Sequence, residues 1–101
     1  MSEFVRVASV SDVAPGKVKE FRVNEKTIAL CNVRGKFYAL DNVCLHRGGP
    51  LGDGYLDGLK LECPWHGWQY DVQTGCVAMD PGMKVPIYEV KVEGSDVLVA
   101  V

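Results

Sequence analysis

Both histidines of this 101-residue chain and two of its four cysteines fall in one stretch, as Cys44-Leu45-His46 and Cys63-Pro64-Trp65-His66. Thiolate sulfur and imidazole nitrogen are metal donors, and each pair is close enough in sequence for one loop to present both groups. Six of the eleven glycines crowd between Gly48 and Gly67, so the backbone around these donors is free to turn sharply and to approach a bound group. Two kinds of centre suit four such donors. A single Zn²⁺ accepts two sulfurs and two nitrogens, but the usual finger order places a cysteine pair before a histidine pair; the order Cys, His, Cys, His disfavours zinc without excluding it. A two-iron cluster uses the alternation directly, since each loop can give its cysteine to one iron and its histidine to the other.

The pattern C-x-H, then sixteen residues, then C-x₂-H, continued as CPWHGWQYD and followed by the turn Thr74-Gly75, resembles the Rieske [2Fe-2S] proteins. Among them it is most similar to the small soluble ferredoxins of bacterial oxygenase systems, with the match tightest from Cys44 to Gly75. The resemblance implies one cluster per chain, with Cys44 and Cys63 on one iron and His46 and His66 on the other. Gly48, Gly49 and Gly67 are expected to let backbone amides approach sulfide and thiolate, while Gly52 and Gly54 let the connecting loop turn. Pro50, Leu51, Pro64 and Trp65 are expected to shield the centre from water.

With every iron position filled by sulfide or protein, the chain is expected to carry electrons and not to catalyse. The implied partners are a flavin-dependent NAD(P)H ferredoxin reductase and the terminal oxygenase of an aromatic-hydroxylating system. No histidine follows His66, so the mononuclear iron domain of an oxygenase subunit is not expected. A small subunit of an assimilatory nitrite reductase and a zinc-stabilised interaction module stay open as alternatives.

The loop residues also bear on the reduction potential. Two neutral imidazoles in place of two thiolates make the cluster more positive, so its potential should exceed that of an all-cysteine cluster. High-potential Rieske proteins carry a disulfide between the positions matching Gly49 and Trp65, and a serine hydroxyl at the position matching Trp68. Neither feature exists here. Tyr70 matches a tyrosine that donates to a cysteine sulfur in that group. Three altered positions, Gly49, Trp65 and Trp68, against one retained hydroxyl predict a potential near the bottom of the Rieske range.

Short apolar runs separated by turn signals must position these loops, and no segment keeps a helical period for three turns. The expected strands are Phe4 to Ala8, Val18 to Val23, Thr27 to Val33, Lys36 to Leu40, Tyr55-Leu56, Leu59 to Glu62, Trp68 to Val72, Cys76 to Met79, Val85 to Val92 and Val97 to Val101. Arg34-Gly35, Asp57-Gly58 and Thr74-Gly75 supply turns, and Asp80-Pro81-Gly82 is expected to interrupt pairing. This predicts an all-β fold, an antiparallel sandwich or incomplete barrel forming one domain over residues 1–101. A cluster-binding subdomain from about Asn42 to Asp71 is expected within it.

Cys31 and Cys76 lack ligand-spaced partners and read as buried small hydrophobes, though a bond between them stays open. Asp71, Asp80 and Glu62 read as a solvated acidic surface near the loops. A content of 48% hydrophobic residues excludes disorder, and a net charge of −2 without a basic stripe disfavours nucleic acid. No run reaches a membrane span and the start lacks a secretory pattern, so a cytoplasmic, monomeric protein is expected.

Overall fold

The computed structural model describes residues 3–45, 48–65 and 67–100. Among these, twelve strands run in order: β1 (Phe4–Ser9), β2 (Val18–Val23), β3 (Lys26–Val33), β4 (Lys36–Asp41), β5 (Tyr55–Asp57), β6 (Lys60–Glu62), β7 (Gln69–Asp71), β8 (Cys76–Val77), β9 (Asp80–Lys84), β10 (Ile87–Tyr88), β11 (Val90–Glu93) and β12 (Asp96–Ala100). Two single helical turns, Val10–Asp12 and Leu51–Asp53, are the only other regular elements described. The fold is all-β and antiparallel, as its residue pattern predicts.

The strands form three sheets, ordered β1-β12-β11, β10-β4-β3-β2 and β5-β6-β7-β8-β9. The four-stranded sheet lies between the other two, and β3 shows why. Its sequence KTIALCNV has an unbroken apolar run where a half-exposed strand would alternate. Successive side chains point to opposite faces, so Ile28 and Leu30 enter one core with Val97 and Val99, while Ala29 and Cys31 enter another with Leu51, Leu61 and Tyr70. β4 divides likewise, Phe37 and Ala39 to the first core and Leu40 to the second. The second core contains Cys44 and Cys63, so the sulfurs sit on the interior that joins the β framework to the loop-bearing sheet.

Two expected boundaries are corrected. Asp80-Pro81-Gly82 interrupts the ladder as expected, since Val77 pairs with Asp80 and Cys76 with Lys84 while Pro81, Gly82 and Met83 have no register partner, but the interruption lies inside the exposed edge strand β9 and not before it. The run from Val85 to Val92 is not one strand. Ile87 and Tyr88 pair with β4, and the chain then changes sheets at Glu89, so that Val90 pairs with Val99 on β12. The final strand is described to Ala100, and Val101 lies outside the described residues. The loop-bearing sheet continues past Asp71 to Lys84.

Two glycines act through space and not through turning. A Cβ on Gly54 would collide with the carbonyl oxygen of Glu62, and one on Gly52 would meet the Glu20 Cα at 2.7 Å, both in ordinary negative or extended backbone. The two residues therefore let the connecting segment pack flat against β2 and β6. Gly54→Ala should cost roughly 1–3 kcal/mol of unfolding free energy through forced backbone displacement. Gly58→Ala, in a turn with φ of +59° and open space around it, should cost about 1 kcal/mol or less. Urea midpoints of the two variants give the comparison; equal midpoints would refute the packing role.

Candidate metal centre

Two loops of equal length carry the cysteines. The first spans residues 44–49 and is closed by an isolated pairing of Val43 with Pro50; the second spans 63–68 and is closed by the pairing of Glu62 with Gln69. In each, the amide of the first residue reaches the carbonyl of the last: Cys44 N–H to Gly49 at 2.9 Å and Cys63 N–H to Trp68 at 2.7 Å. In each, the fifth residue is a glycine in left-handed backbone, Gly48 at φ +70° and Gly67 at +73°. A side chain there would strain the turn, which explains these two glycines as conformational necessities. The Gly48 amide donates to the Cys44 carbonyl at 2.9 Å, closing its own loop.

Both cysteine side chains are buried, each about 1% exposed. Gly49 is the close-packing residue between the loops: a Cβ on it would stand 2.7 Å from the Cys63 sulfur and 3.1 Å from the Trp65 ring. Tyr70, fully buried on β7, places its hydroxyl 3.1 Å from the Cys44 sulfur and accepts the Leu45 amide at 2.9 Å. Either atom can donate while Cys44 is a thiol, but a metal-bound thiolate has no proton, so the phenol is then the donor to sulfur.

Burial pushes the Cys63 thiol up to about 11; Cys44 beside it acts in the same direction, and a hydrogen bond from the Trp65 backbone opposes it. Burial likewise raises the Tyr70 phenol, with Cys44 adding to the effect, so the phenol stays a donor at neutral pH. Two buried thiols, with a hydroxyl beside one of them, form a poor water-facing surface and a good metal-thiolate pocket, since a bound cation replaces their protons. The sulfur half of the site therefore fits an iron–sulfur group. The calls on His46 and His66 lie outside the described residues.

Other expected residues separate. Leu51 is fully buried in the same core as the two sulfurs, while Trp65 is about half exposed. Trp68 is half-buried and packs on the second core. Val43 and Leu45, unremarked in the sequence reading, are exposed apolar residues beside the first loop, and with Trp65 they surround the site with apolar surface. Asn42 was also missed: it is buried, its amide oxygen accepts the Gly52 N–H at 2.6 Å and its amide nitrogen donates to Glu20 at 2.6 Å, locking the segment after the first loop to β2. A buried asparagine carries no periodic signal, so only its tertiary partners reveal it.

All four cysteines are free thiols. Cys31 is buried and its thiol is pushed up to about 12 by desolvation, but Cys76 is only half-buried, which corrects the expectation that both are core residues. The three acids near the loops are used locally. Asp71 accepts the Gln73 amide and Asp80 the Gly82 amide, while Glu62 accepts from the Gln69 side chain.

A three-sheet β frame with two matched cysteine loops converging on a buried pair of sulfurs fits the sulfur half of an iron–sulfur site. The Rieske [2Fe-2S] domain model matches residues 3–93, and the chain belongs to that family. Its cofactor is accordingly a Rieske-type [2Fe-2S] cluster, and the zinc alternative falls. The chain is 38% identical over 96 residues to the ferredoxin component of the naphthalene 1,2-dioxygenase/salicylate 5-hydroxylase systems of a Ralstonia species, covering 94% of this chain and 92% of that one. It is 38% identical to the biphenyl 2,3-dioxygenase ferredoxin component of Rhodococcus jostii, covering 93% and 89%. Among solved structures, the ferredoxin of carbazole 1,9a-dioxygenase from Nocardioides aromaticivorans superposes with a TM-score of 0.89 at 33% identity over 96% of both chains. A ferredoxin in complex with the oxygenase of a carbazole 1,9a-dioxygenase gives 0.86 at 35% identity, over 96% of this chain and 92% of that one.

Proposed function

We propose that this chain is the ferredoxin component of an aromatic-ring dioxygenase system, a one-electron carrier between a flavin-dependent NAD(P)H reductase and a terminal oxygenase. The observation that carries the reading is the pair of buried sulfurs, Cys44 and Cys63, enclosed by two matched loops beneath an exposed apolar rim. Cys44 and Cys63 hold one iron, and His46 and His66 hold the other. The bound cluster supplies a site that gains and loses one electron without a position for substrate.

The protein's own residues do the rest. Tyr70 directs its hydroxyl at the Cys44 sulfur, Gly49 lets the loops close, and Val43, Leu45 and Trp65 offer a partner an apolar surface around the site. The named relatives serve oxygenases, which favours this reading over the nitrite reductase alternative. No described helix is long and apolar enough to cross a membrane; a cytoplasmic carrier is the form this function takes.

Purified protein should contain iron and acid-labile sulfide, bleach with dithionite and pass electrons from a flavin reductase to a dioxygenase in a reconstituted assay. Its midpoint potential should lie near −150 mV, the low end for Rieske centres. Trp68→Ser should raise that value by introducing a donor, and the potential should fall as alkaline pH removes a proton from an iron-bound imidazole, because the oxidised form loses it more readily. A colourless, zinc-loaded protein would overturn the reading, and a positive potential would overturn its low-potential form.

A further inference from the structure

The change of sheet at Glu89 leaves two strand edges open. Along β4 and the residue after it, backbone groups alternate between the two neighbouring strands: the Asn42 amide reaches Thr27 on β3, whereas the Asp41 amide reaches Pro86 on the β10 side at 2.9 Å. Ala39 pairs with Tyr88 on that same side, so Phe37 is the next residue whose amide and carbonyl face away from β3. No β10 residue meets them, since the chain has left for the other sheet. The Glu89 carbonyl now accepts from Ala100 at 2.9 Å, and the same alternation turns the backbone groups of Val90 and Val92 away from β12. β11 is an edge strand, so these groups have no ladder partner.

Between the two edges lies a groove of about 430 Å³ lined by Arg34, Gly35, Lys36 and Phe37 on one wall and Val90, Lys91 and Val92 on the other. Its lining carries three cations and no acid, in a chain whose net charge is −2. Lys36 is held 5.5 Å over the Tyr38 ring, which restricts its ammonium group on the rim, whereas the Lys91 ammonium reaches back across β12 to sit 4.5 Å over the Phe4 ring on β1. The groove is remote from the cysteine loops: from Lys36 to Asp41, where β4 ends before them, an extended strand covers about 17 Å.

We propose that this groove takes an acidic, extended segment of a protein partner by strand addition to β11. Backbone groups of Val90 and Val92 pair with the segment, and its carboxylates meet Arg34 and Lys36. Such a contact holds a partner without covering the apolar rim at the cysteine loops, and it does not depend on which redox system the chain serves.

The test uses the cluster-loaded full chain and an acetylated, amidated octapeptide of alternating glutamate and threonine. Peptide binding should slow hydrogen exchange at the Val90 and Val92 amides. Arg34→Glu and Lys36→Glu combined should weaken binding at least about tenfold. Val92→Pro, which removes an outward-facing donor and should leave the visible spectrum intact, should weaken binding to a similar degree. The proposal is overturned if the peptide does not bind, if a lysine-threonine peptide binds equally well, or if Val92→Pro with intact colour binds normally. A concentration-dependent dimer that Val92→Pro dissolves would also overturn it, by assigning the groove to a second copy.

Discussion

Cys63→Ala protein is expected to be colourless, with iron falling from two atoms per chain to near zero, and Cys44→Ala is expected to match it. Each sulfur sits at the start of a six-residue loop and is about 1% exposed, so no water or neighbouring carboxylate can take its place without rebuilding the second core. Metal binding to a pocket that exists only in the folded chain is also folding free energy, so the apparent stability should drop by something on the order of several kcal/mol. The matched control is Cys76→Ala. That thiol is half-buried on β8, outside both loops, and its loss should leave iron, sulfide and spectrum unchanged. Full colour in either loop variant would remove that cysteine from the ligand set.

Tyr70→Phe should lower the midpoint potential while keeping the colour. The phenol donates to the Cys44 sulfur from 3.1 Å, and such a bond is stronger when the site carries the added electron. A hydrogen bond to a charged acceptor contributes about 1.5–3 kcal/mol, which for one electron corresponds to a ceiling of about 65–130 mV. Because the bond exists in both oxidation states, only the difference appears, and a fall of several tens of mV is expected. The variant also strands the Leu45 amide, which loses its acceptor at 2.9 Å, so stability should fall by about 1–2 kcal/mol. The two effects separate experimentally. A potential that stays put while the urea midpoint falls would make Tyr70 a loop support with no influence on the electron.

Much of the framework was legible because its strands obey simple rules. β2, β3 and β4 appear where β-branched and apolar runs are bounded by Asn24-Glu25 and Arg34-Gly35, two turns in which Asn24 and Arg34 themselves adopt positive φ. The strand change at Glu89 was not legible. Nothing in PIYEVKVE distinguishes one strand from two, because the choice depends on whether β4 or β12 offers the better partner at that point. Asp80-Pro81-Gly82 was legible as an interruption, since the ladder skips from Asp80 to Lys84, but only the sheet order shows that the chain resumes pairing with the same neighbour on an edge strand.

The donor residues and the family they signal were written in the chain, since metal chemistry is specified by residue type and short spacing. What those residues rest on was not. The Gly49 contact with the Cys63 sulfur, the Tyr70 hydroxyl aimed at Cys44 and the Asn42 bridge to Glu20 join segments separated by 14, 26 and 22 residues. Contacts of that range depend on how sheets stack, and stacking depends on which faces of β3 and β4 find apolar partners. Local pattern therefore determined what the loops could bind, and packing decided how tightly they close and which backbone edges stay open.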